Sequence, residues 1–140
     1  RKFINFLGIT TLQSFTATAL GMFIGSVAPS SDAALAMFPP LVVLMVIFNG
    51  FNISEKSTPK LLKWVAKVSL IRWGFEGLAI NEFRGLEFAP GPLNRGPSVC
   101  TGEEALGRLA LDQSTLRGAV AAQSRLLTGC YVGTYVVLRA

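Results

Sequence analysis

Few residue types in this chain are suited to catalysis or metal binding. The sequence contains no histidine, which excludes histidine-based acid–base catalysis and histidine metal ligation. No G-x-x-x-x-G-K-[ST] stretch occurs, so the chain has no phosphate-binding loop of that type with which to hydrolyse ATP. Its two cysteines are Cys100, in a loop-like segment, and Cys130, in an apolar one. We therefore predict no catalytic residue and no metal site in this chain.

Two charged residues, Arg72 and Glu82, lie in or next to the mainly apolar segment Leu61–Ile80. Ionisable side chains within membrane segments are rare and are functional candidates by default. The alternative is that Arg72 and Glu82 pair locally and only anchor their helix at the membrane surface. The sequence leaves both interpretations open.

Two long runs without charged residues indicate the membrane helices that would position Arg72 and Glu82. Phe3–Ala28 and Ala33–Ile53 contain no Lys, Arg, Asp or Glu. A helix needs about 20 mainly apolar residues to cross the hydrocarbon layer of a bilayer, and both runs are that long. A helix on the surface of a soluble domain needs a polar face, which these runs lack. The sequence predicts an integral membrane protein with all-α architecture.

A stripe of small residues follows one face of the first run. The spacing of three and four places its members above one another on a helix. Small residues allow a neighbouring membrane helix to approach closely, and the last two form a G-x-x-x-G step. We predict a helix-packing surface, with a polar translocation surface as the alternative. The members are Thr11, Ser14, Thr18, Gly21 and Gly25.

The second run follows a short polar connection. Ser31 or Asp32 is predicted to cap its helix, because the first-turn N–H groups need acceptors. Pro39 and Pro40 lie in the first half of this helix, and proline removes a backbone donor and clashes with the preceding turn. We expect a kink there.

The remaining segments are less uniform. Charged residues interrupt Leu61–Ile80, which favours a helix lying in the interface or one that enters the membrane and returns. Thr101 precedes Glu104 by three residues, as in a capping box, and predicts a short helix reaching Asp112. Gly118–Leu138 is the third membrane helix, since Arg125 lies close enough to its start to extend its charge to the surface.

The formal net charge is +5, but the basic residues are scattered singly. A nucleic-acid footprint would be a cluster on one face, so we expect no nucleic-acid partner. Contact with anionic lipid headgroups explains this charge more simply.

The stretch from Phe48 to Phe83 resembles the C-terminal membrane region of the G subfamily of ABC transporters, the white/brown half-transporters. The resemblance looks closest to plant and algal members, and it extends loosely over nearly the whole chain. Cys100-Thr101-Gly102-Glu103-Glu104 is a separate match further along. The residues that carry it in the first stretch are Asn49-Gly50-Phe51, Pro59, Trp64, Ser69, Arg72-Trp73-Gly74-Phe75-Glu76-Gly77-Leu78 and Asn81-Glu82-Phe83.

This resemblance implies the last three transmembrane helices of an ABC-2 type transmembrane domain. Residues 1–50 would hold the fourth and fifth membrane helices, and residues 118–140 the sixth. Residues 51–117 would form re-entrant helices and a large loop on the non-cytosolic side. The distribution of Lys and Arg disagrees with this orientation, because most of them fall in that loop.

The resemblance also implies roles for individual residues. Val43 and Val46 match the face of the fifth helix that lines the substrate cavity, and Phe51 and Asn52 match an apolar valve above it. Asn52 departs from the pattern, since an amide replaces an apolar residue. Arg72 and Glu82 match a polar cluster under the loop. Ala89 stands where the disulfide partner of Cys100 would be, which implies that Cys100 is a free thiol.

By resemblance, the intact protein is an ATP-driven half-transporter that exports lipophilic substrates as a homo- or heterodimer. ATP and Mg²⁺ would bind a nucleotide-binding domain that the family places upstream, and the chain begins with Arg1 rather than Met. The alternatives are a non-transporting membrane anchor or assembly subunit, and a permease that works with a separate ATPase chain. The plasma membrane and an organelle envelope both remain open as locations.

Overall fold

The computed structural model describes residues 2–47, 67–88, 101–111 and 113–139. Five helices are described there: α1 Lys2–Val27, α2 Ser31–Ile47, α3 Leu70–Phe83, α4 Gly102–Arg108 and α5 Leu116–Arg139. The only strand pairing among these residues is a single antiparallel bridge between Glu87 and Thr101. The predicted all-α architecture is confirmed.

The centre of the molecule is a bundle of α1, α3 and α5, each of which packs against the other two. α2 contacts α1 and α3 less extensively, and α4 packs against α3. By length and composition, α1 is long and apolar enough to cross a bilayer, whereas α2 is a shorter apolar helix. The long uncharged run Phe3–Ala28 thus corresponds closely to α1.

The face that α1 turns to the bundle differs from the predicted stripe. Its buried residues are Ile9, Thr16, Ala19 and Ile24. All five stripe residues are exposed, and a side chain added at Gly21 or Gly25 would meet nothing within 4 Å. Among the helices that the structure describes, none covers this stripe. The predicted packing surface remains a prediction for a neighbour outside the chain.

The start of α2 corrects one prediction. Ser30, not Ser31 or Asp32, supplies the cap, since its Oγ accepts a hydrogen bond from the Ala33 N–H at 3.2 Å. The helix begins at Ser31, so Asp32 lies in its first turn, where a carboxylate favours the positive end of the helix dipole. α2 continues through Pro39 and Pro40 without a break, and a kink there stays a prediction.

α3 is held at both ends by groups from other helices. At its start, the buried Ser69 accepts a hydrogen bond from the Arg72 N–H and donates one to the Met45 carbonyl of α2, at 3.3 Å. At its end, the Lys2 ammonium donates to the carbonyls of Glu82 and Arg84, at 3.0 and 3.2 Å. A cation at this position satisfies carbonyls that have no partner within the helix.

α3 buries small residues rather than a stripe of large apolar ones. Gly74 and Gly77 are buried and let the backbone of α3 come close to α1 and α5, whereas the buried Ala79 packs with Leu106 of α4. This explains why no clean apolar stripe is visible in Leu61–Ile80. Residues 61–66 of that segment lie outside the described part, and whether it re-enters the membrane stays a prediction.

The predicted capping box at the start of α4 is confirmed. The Thr101 side chain accepts a hydrogen bond from the Glu104 N–H at 3.3 Å. α4 ends at Arg108, earlier than the predicted Asp112, because Ala110 adopts a left-handed backbone with φ of 57°. The N–H groups of Ala110 and Leu111 then bond to the carbonyls of Gly107 and Leu106, which closes the helix as a Schellman motif.

α4 also joins the two segments that carried the family resemblance. Leu106 of α4 is fully buried against Ile80 and Ala79 of α3. The Gly102 N–H donates to the Leu86 carbonyl at 2.7 Å, and the Gly102 Cα lies directly against the Phe83 carbonyl. A Cβ at residue 102 would overlap that carbonyl, so only glycine fits there.

α5 begins two residues before the predicted Gly118. Thr115 caps it, accepting a hydrogen bond from the Gly118 N–H at 3.1 Å. Near its end the Arg139 guanidinium lies over the Tyr135 ring, 5.6 Å from the centroid. Cys130, half-buried in α5, is a free cysteine, and Cys100 lies outside the described residues.

Candidate functional site

A pair of amides connects α1 to α5 inside the bundle. The Gln123 Nε2 group donates a hydrogen bond to Gln13 Oε1, and Gln123 is fully buried. Gly74 of α3 lies directly against the Gln13 amide, so the three helices meet at this point. An amide facing lipid would leave its donors and acceptors without partners, which is why pairing inside the bundle is favoured. Sequence reasoning did not identify Gln123.

A second polar contact lies where α1 begins and α3 ends. The Asn81 Nδ2 group donates to the Lys2 carbonyl and to Glu82 Oε1, both at 3.0 Å. Together with the Lys2 ammonium on the last carbonyls of α3, this contact ties the two helix ends together. It positions α3 against the bundle, and Lys2 was not expected from the sequence to take part in it.

The structure does not bring Arg72 and Glu82 together. Ten residues of α3 separate them, which is about 15 Å along a helix. The Arg72 guanidinium lies over the Trp73 ring, 5.1 Å from its centroid, while the exposed Glu82 accepts from Asn81. The Trp73 indole donates to the Lys67 carbonyl at 2.8 Å. Each charged side chain thus has contacts of its own.

A pocket of about 540 Å³ lies between α3 and α5. Glu76 lines it from α3 and is only 5% exposed. Lys67 and Arg125 line the same pocket, together with residues from the start of α5. Sequence reasoning treated Glu76 only as an interruption of an apolar segment. The signal that could have identified Glu76 is its position between two glycines, Gly74 and Gly77, through which the helix packs against its neighbours.

No group of three or more His, Cys, Asp or Glu side chains in the described part could hold a metal ion. The buried polar side chains of the described part are hydroxyls, amides and one carboxylate: Thr16, Ser69, Thr134, Asn81, Gln123 and Glu76. This arrangement suits helix packing.

The model of the ABC-2 type transporter family matches residues 1–83, which is more than half of the chain. The chain belongs to the ABC-2 type transporter family. It is a membrane part of a transporter, and its resemblance to the G subfamily is confirmed by the relatives that it matches.

Three relatives show the extent of this similarity. ABC transporter G family member 7 of Arabidopsis thaliana is 42% identical over 137 residues, covering 98% of this chain and 18% of the relative. Protein white of Drosophila melanogaster is 34% identical over 92 residues, covering 66% of the chain and 13% of the relative. A broad substrate specificity ATP-binding cassette transporter of Bos taurus is 32% identical over 116 residues, covering 78% of the chain and 18% of the relative.

This transporter chain therefore spans less than a fifth of the length of these curated relatives. The family match covers α1 to α3, including Gln13, Glu76 and the exposed face of α2. The Arabidopsis relative extends the similarity through α4 and α5. The activity, substrate and partners of the intact transporter are treated below as proposals.

Two of the three hydroxyl groups in the α1 stripe of this transporter bond to the backbone of their own helix. Ser14 donates to the Thr10 carbonyl at 3.1 Å, and Thr18 donates to the Ser14 carbonyl at 3.0 Å. Hydroxyls that bond to their own helix can face lipid or a packed neighbour without an unpaired group. The packing interpretation of the stripe and the polar translocation surface both stay predictions.

The two residues assigned to the cavity lie on the outer surface of α2. Val43 is 55% exposed and Val46 is 42% exposed, whereas Met45 is the buried residue of α2. Phe51 and Asn52, assigned to the valve, lie outside the described residues. The cavity and valve assignments stay predictions.

Proposed function

We propose that this chain forms one wall of the membrane passage in an ATP-driven half-transporter that exports lipophilic substrates. α2 supplies that wall through Val43 and Val46, and a second half-transporter, identical or different, supplies the facing wall. The exposed apolar surface of α2, in a chain of the ABC-2 type transporter family, is the observation that carries the proposal.

The apolar character of this surface determines what it can bind. Val43 and Val46 offer no hydrogen-bonding groups, so they hold a ligand through burial of apolar area. A lipophilic substrate gains from such contacts, whereas a charged solute gains nothing. A relative from Bos taurus is named a broad substrate specificity transporter, which agrees with recognition by shape and apolar area.

Transport needs two arrangements of the passage with different affinities for the substrate, because a ligand bound equally well in both is not pumped. The α1–α3–α5 bundle is held by its amide pair and its end contacts, and it suits the role of a rigid support for α2. The substrate would leave the cavity past Phe51 and Asn52. ATP and Mg²⁺ would bind the nucleotide-binding domain that the family places upstream, since this sequence contains no G-x-x-x-x-G-K-[ST] stretch.

The test measures export of a lipophilic fluorescent compound by the intact transporter in inside-out vesicles. Trp in place of Val43 or Val46 would fill the cavity, and we expect export to fall several-fold at unchanged protein level. Leu44→Trp is the matched control, because Leu44 is 41% exposed on a different side of α2. Equal export by all three variants would remove both valines from the cavity. Absence of ATP-dependent export by the unmodified protein would favour a membrane anchor instead.

A further inference from the structure

The pocket between α3 and α5 is lined by the carboxylate residue Glu76, which is largely buried. Glu76 is 5% exposed and lines the pocket, and its carboxylate oxygens are not among the fully enclosed atoms that lack a hydrogen-bond partner. A buried charge is costly unless a partner compensates it. Because Glu76 lines the pocket, a ligand in the pocket is in a position to supply that partner.

Two cations line the same pocket without neutralising this carboxylate. Lys67 lies just before α3, and Arg125 lies on α5. Neither forms a salt bridge with Glu76, although all three border one cavity. The pocket therefore contains a carboxylate, which accepts hydrogen bonds, and two cationic side chains, which can bind an anion. A ligand that carries both a positive and a negative group complements it.

The residues of α5 that line the pocket change from polar to apolar along the helix. Thr115 and Gly118 border it at the start of the helix, where the partial positive charge of the helix dipole lies. The Thr115 hydroxyl accepts from Gly118 and keeps its own hydrogen for a ligand oxygen. Ala122 and Leu126 border the pocket one and two turns further on. Such a gradient from polar to apolar suits an amphipathic molecule.

We propose that this pocket binds the headgroup of an ethanolamine phospholipid. Glu76 accepts hydrogen bonds from the ammonium group, and Lys67 and Arg125 bind the phosphate. The acyl chains leave past Leu126. The volume of about 540 Å³ lies within the range of small-ligand sites. This proposal concerns the lipid around the protein and does not depend on which substrate is exported.

A primary ammonium fits the carboxylate better than a choline group does. An ammonium donates up to three hydrogen bonds, whereas a quaternary amine donates none. Choline sites in proteins are typically built from aromatic faces. The ring of Trp73, which borders this pocket, is already covered by the Arg72 guanidinium. Glu76 therefore selects for ethanolamine over choline.

The experiment is native mass spectrometry of the intact transporter in detergent, titrated with phospholipids that share the same acyl chains. The probes are phosphatidylethanolamine, phosphatidylcholine and phosphatidylglycerol. We expect the unmodified protein to prefer phosphatidylethanolamine over phosphatidylcholine by about ten-fold. Glu76→Gln should abolish this preference, whereas Glu103→Gln, which removes an exposed carboxylate, should preserve it. An unchanged preference in the Glu76 variant would overturn the proposal.

Arg125→Gln tests the phosphate side and does not depend on the folding of the Glu76 variant, because Arg125 is exposed. It should weaken the binding of phosphatidylethanolamine and phosphatidylcholine alike, about five-fold. Arg117→Gln is the control, since Arg117 is exposed on the same helix and does not border the pocket. Equal affinities in both variants would overturn the site. Glycerophosphoethanolamine identifies the source: if it binds as tightly as the lipid, the ligand is a soluble molecule and the lipid proposal fails.

Discussion

The side-chain amides of Gln13 and Gln123 form a hydrogen bond between α1 and α5, at the point where Gly74 brings α3 against them. One contact thereby fixes the spacing of three helices. The Gln123 Oε1 atom is buried without a hydrogen-bond partner in the described part. The pair is thus only partly satisfied, and its contribution depends strongly on which member is removed.

Replacing Gln13 by Leu should destabilise the bundle more than replacing Gln123 by Leu. Without Gln13, the fully buried Gln123 has no partner at either end of its amide, at a cost of about 1–3 kcal/mol. Without Gln123, the half-buried Gln13 keeps partial access to its surroundings. The free energy of unfolding of the intact protein in detergent measures both effects.

The double variant with Leu at both positions should recover much of the loss, because no polar group is then left unpaired. A double-mutant cycle should yield a coupling of about 0.6 kcal/mol and up to about 1.7, as for other hydrogen bonds between membrane helices. Thr128→Val, on the exposed side of α5, is the control and should change little. Additive losses in the double variant would show that the amides do not interact.

Two neighbouring glycines of α3 should respond oppositely to alanine. A Cβ at Gly74 would lie 2.7 Å from Gln13 Cδ, which forces that side chain aside and breaks the amide pair. We expect Gly74→Ala to cost about 1–2 kcal/mol. A Cβ at Gly77 meets Ile9 and Ala119 at 3.5 and 3.6 Å, ordinary contact distances. Gly77→Ala should be neutral or stabilising by up to about 1 kcal/mol, because alanine favours helix.

Thermal unfolding of the two variants in the same detergent checks this contrast. A third variant identifies its cause. In a Gln13→Ala background the clash disappears, so Gly74→Ala should no longer be costly there. Should Gly74→Ala destabilise equally in both backgrounds, the close contact with Gln13 is not the reason.

The elements that the sequence predicted well are those specified by local chemistry. The uncharged run from Phe3 predicted α1 to within one residue at each end, because absence of charge marks a membrane helix directly. Thr101 and Glu104 predicted the start of α4 through one local hydrogen bond. The end of that helix was missed, because the left-handed conformation of Ala110 is unusual for a residue other than glycine.

Contacts between distant segments could not be predicted in this way. Gln13 and Gln123 are 110 residues apart, and nothing in a single sequence pairs one glutamine with another. The role of Glu76 was missed for a related reason. Its importance depends on the pocket that α5 forms beside it, not on its neighbours in the chain. The small residues and the buried residues of α1 lie on different sides of the helix, so the face buried inside the chain could not be predicted from the small-residue stripe.

Glycine at residue 102 should be essential for docking α4 onto α3. Its Cα lies against the Phe83 carbonyl, a backbone group that cannot rotate away, so Gly102→Ala must displace the whole segment. We expect a loss above about 2 kcal/mol, together with faster protease cleavage in residues 84–101. Gly107→Ala is the matched control on the same helix, because a Cβ there meets nothing within 4 Å. Similar cleavage rates for the two variants would contradict the docking.

The exposed stripe on α1 gives a test of assembly that leaves the chain itself undisturbed. A Cβ at Gly21 or Gly25 meets no described atom within 4 Å, and leucine favours helix, so folding should be preserved in the leucine variants. If a neighbouring subunit packs on these glycines, the larger side chain blocks its close approach. We expect the dimer fraction of the intact protein to fall several-fold, as measured by cross-linking in membranes. Gly8→Leu is the control, being equally unobstructed on another side of α1. A dimer fraction equal to that control would show that the stripe faces lipid.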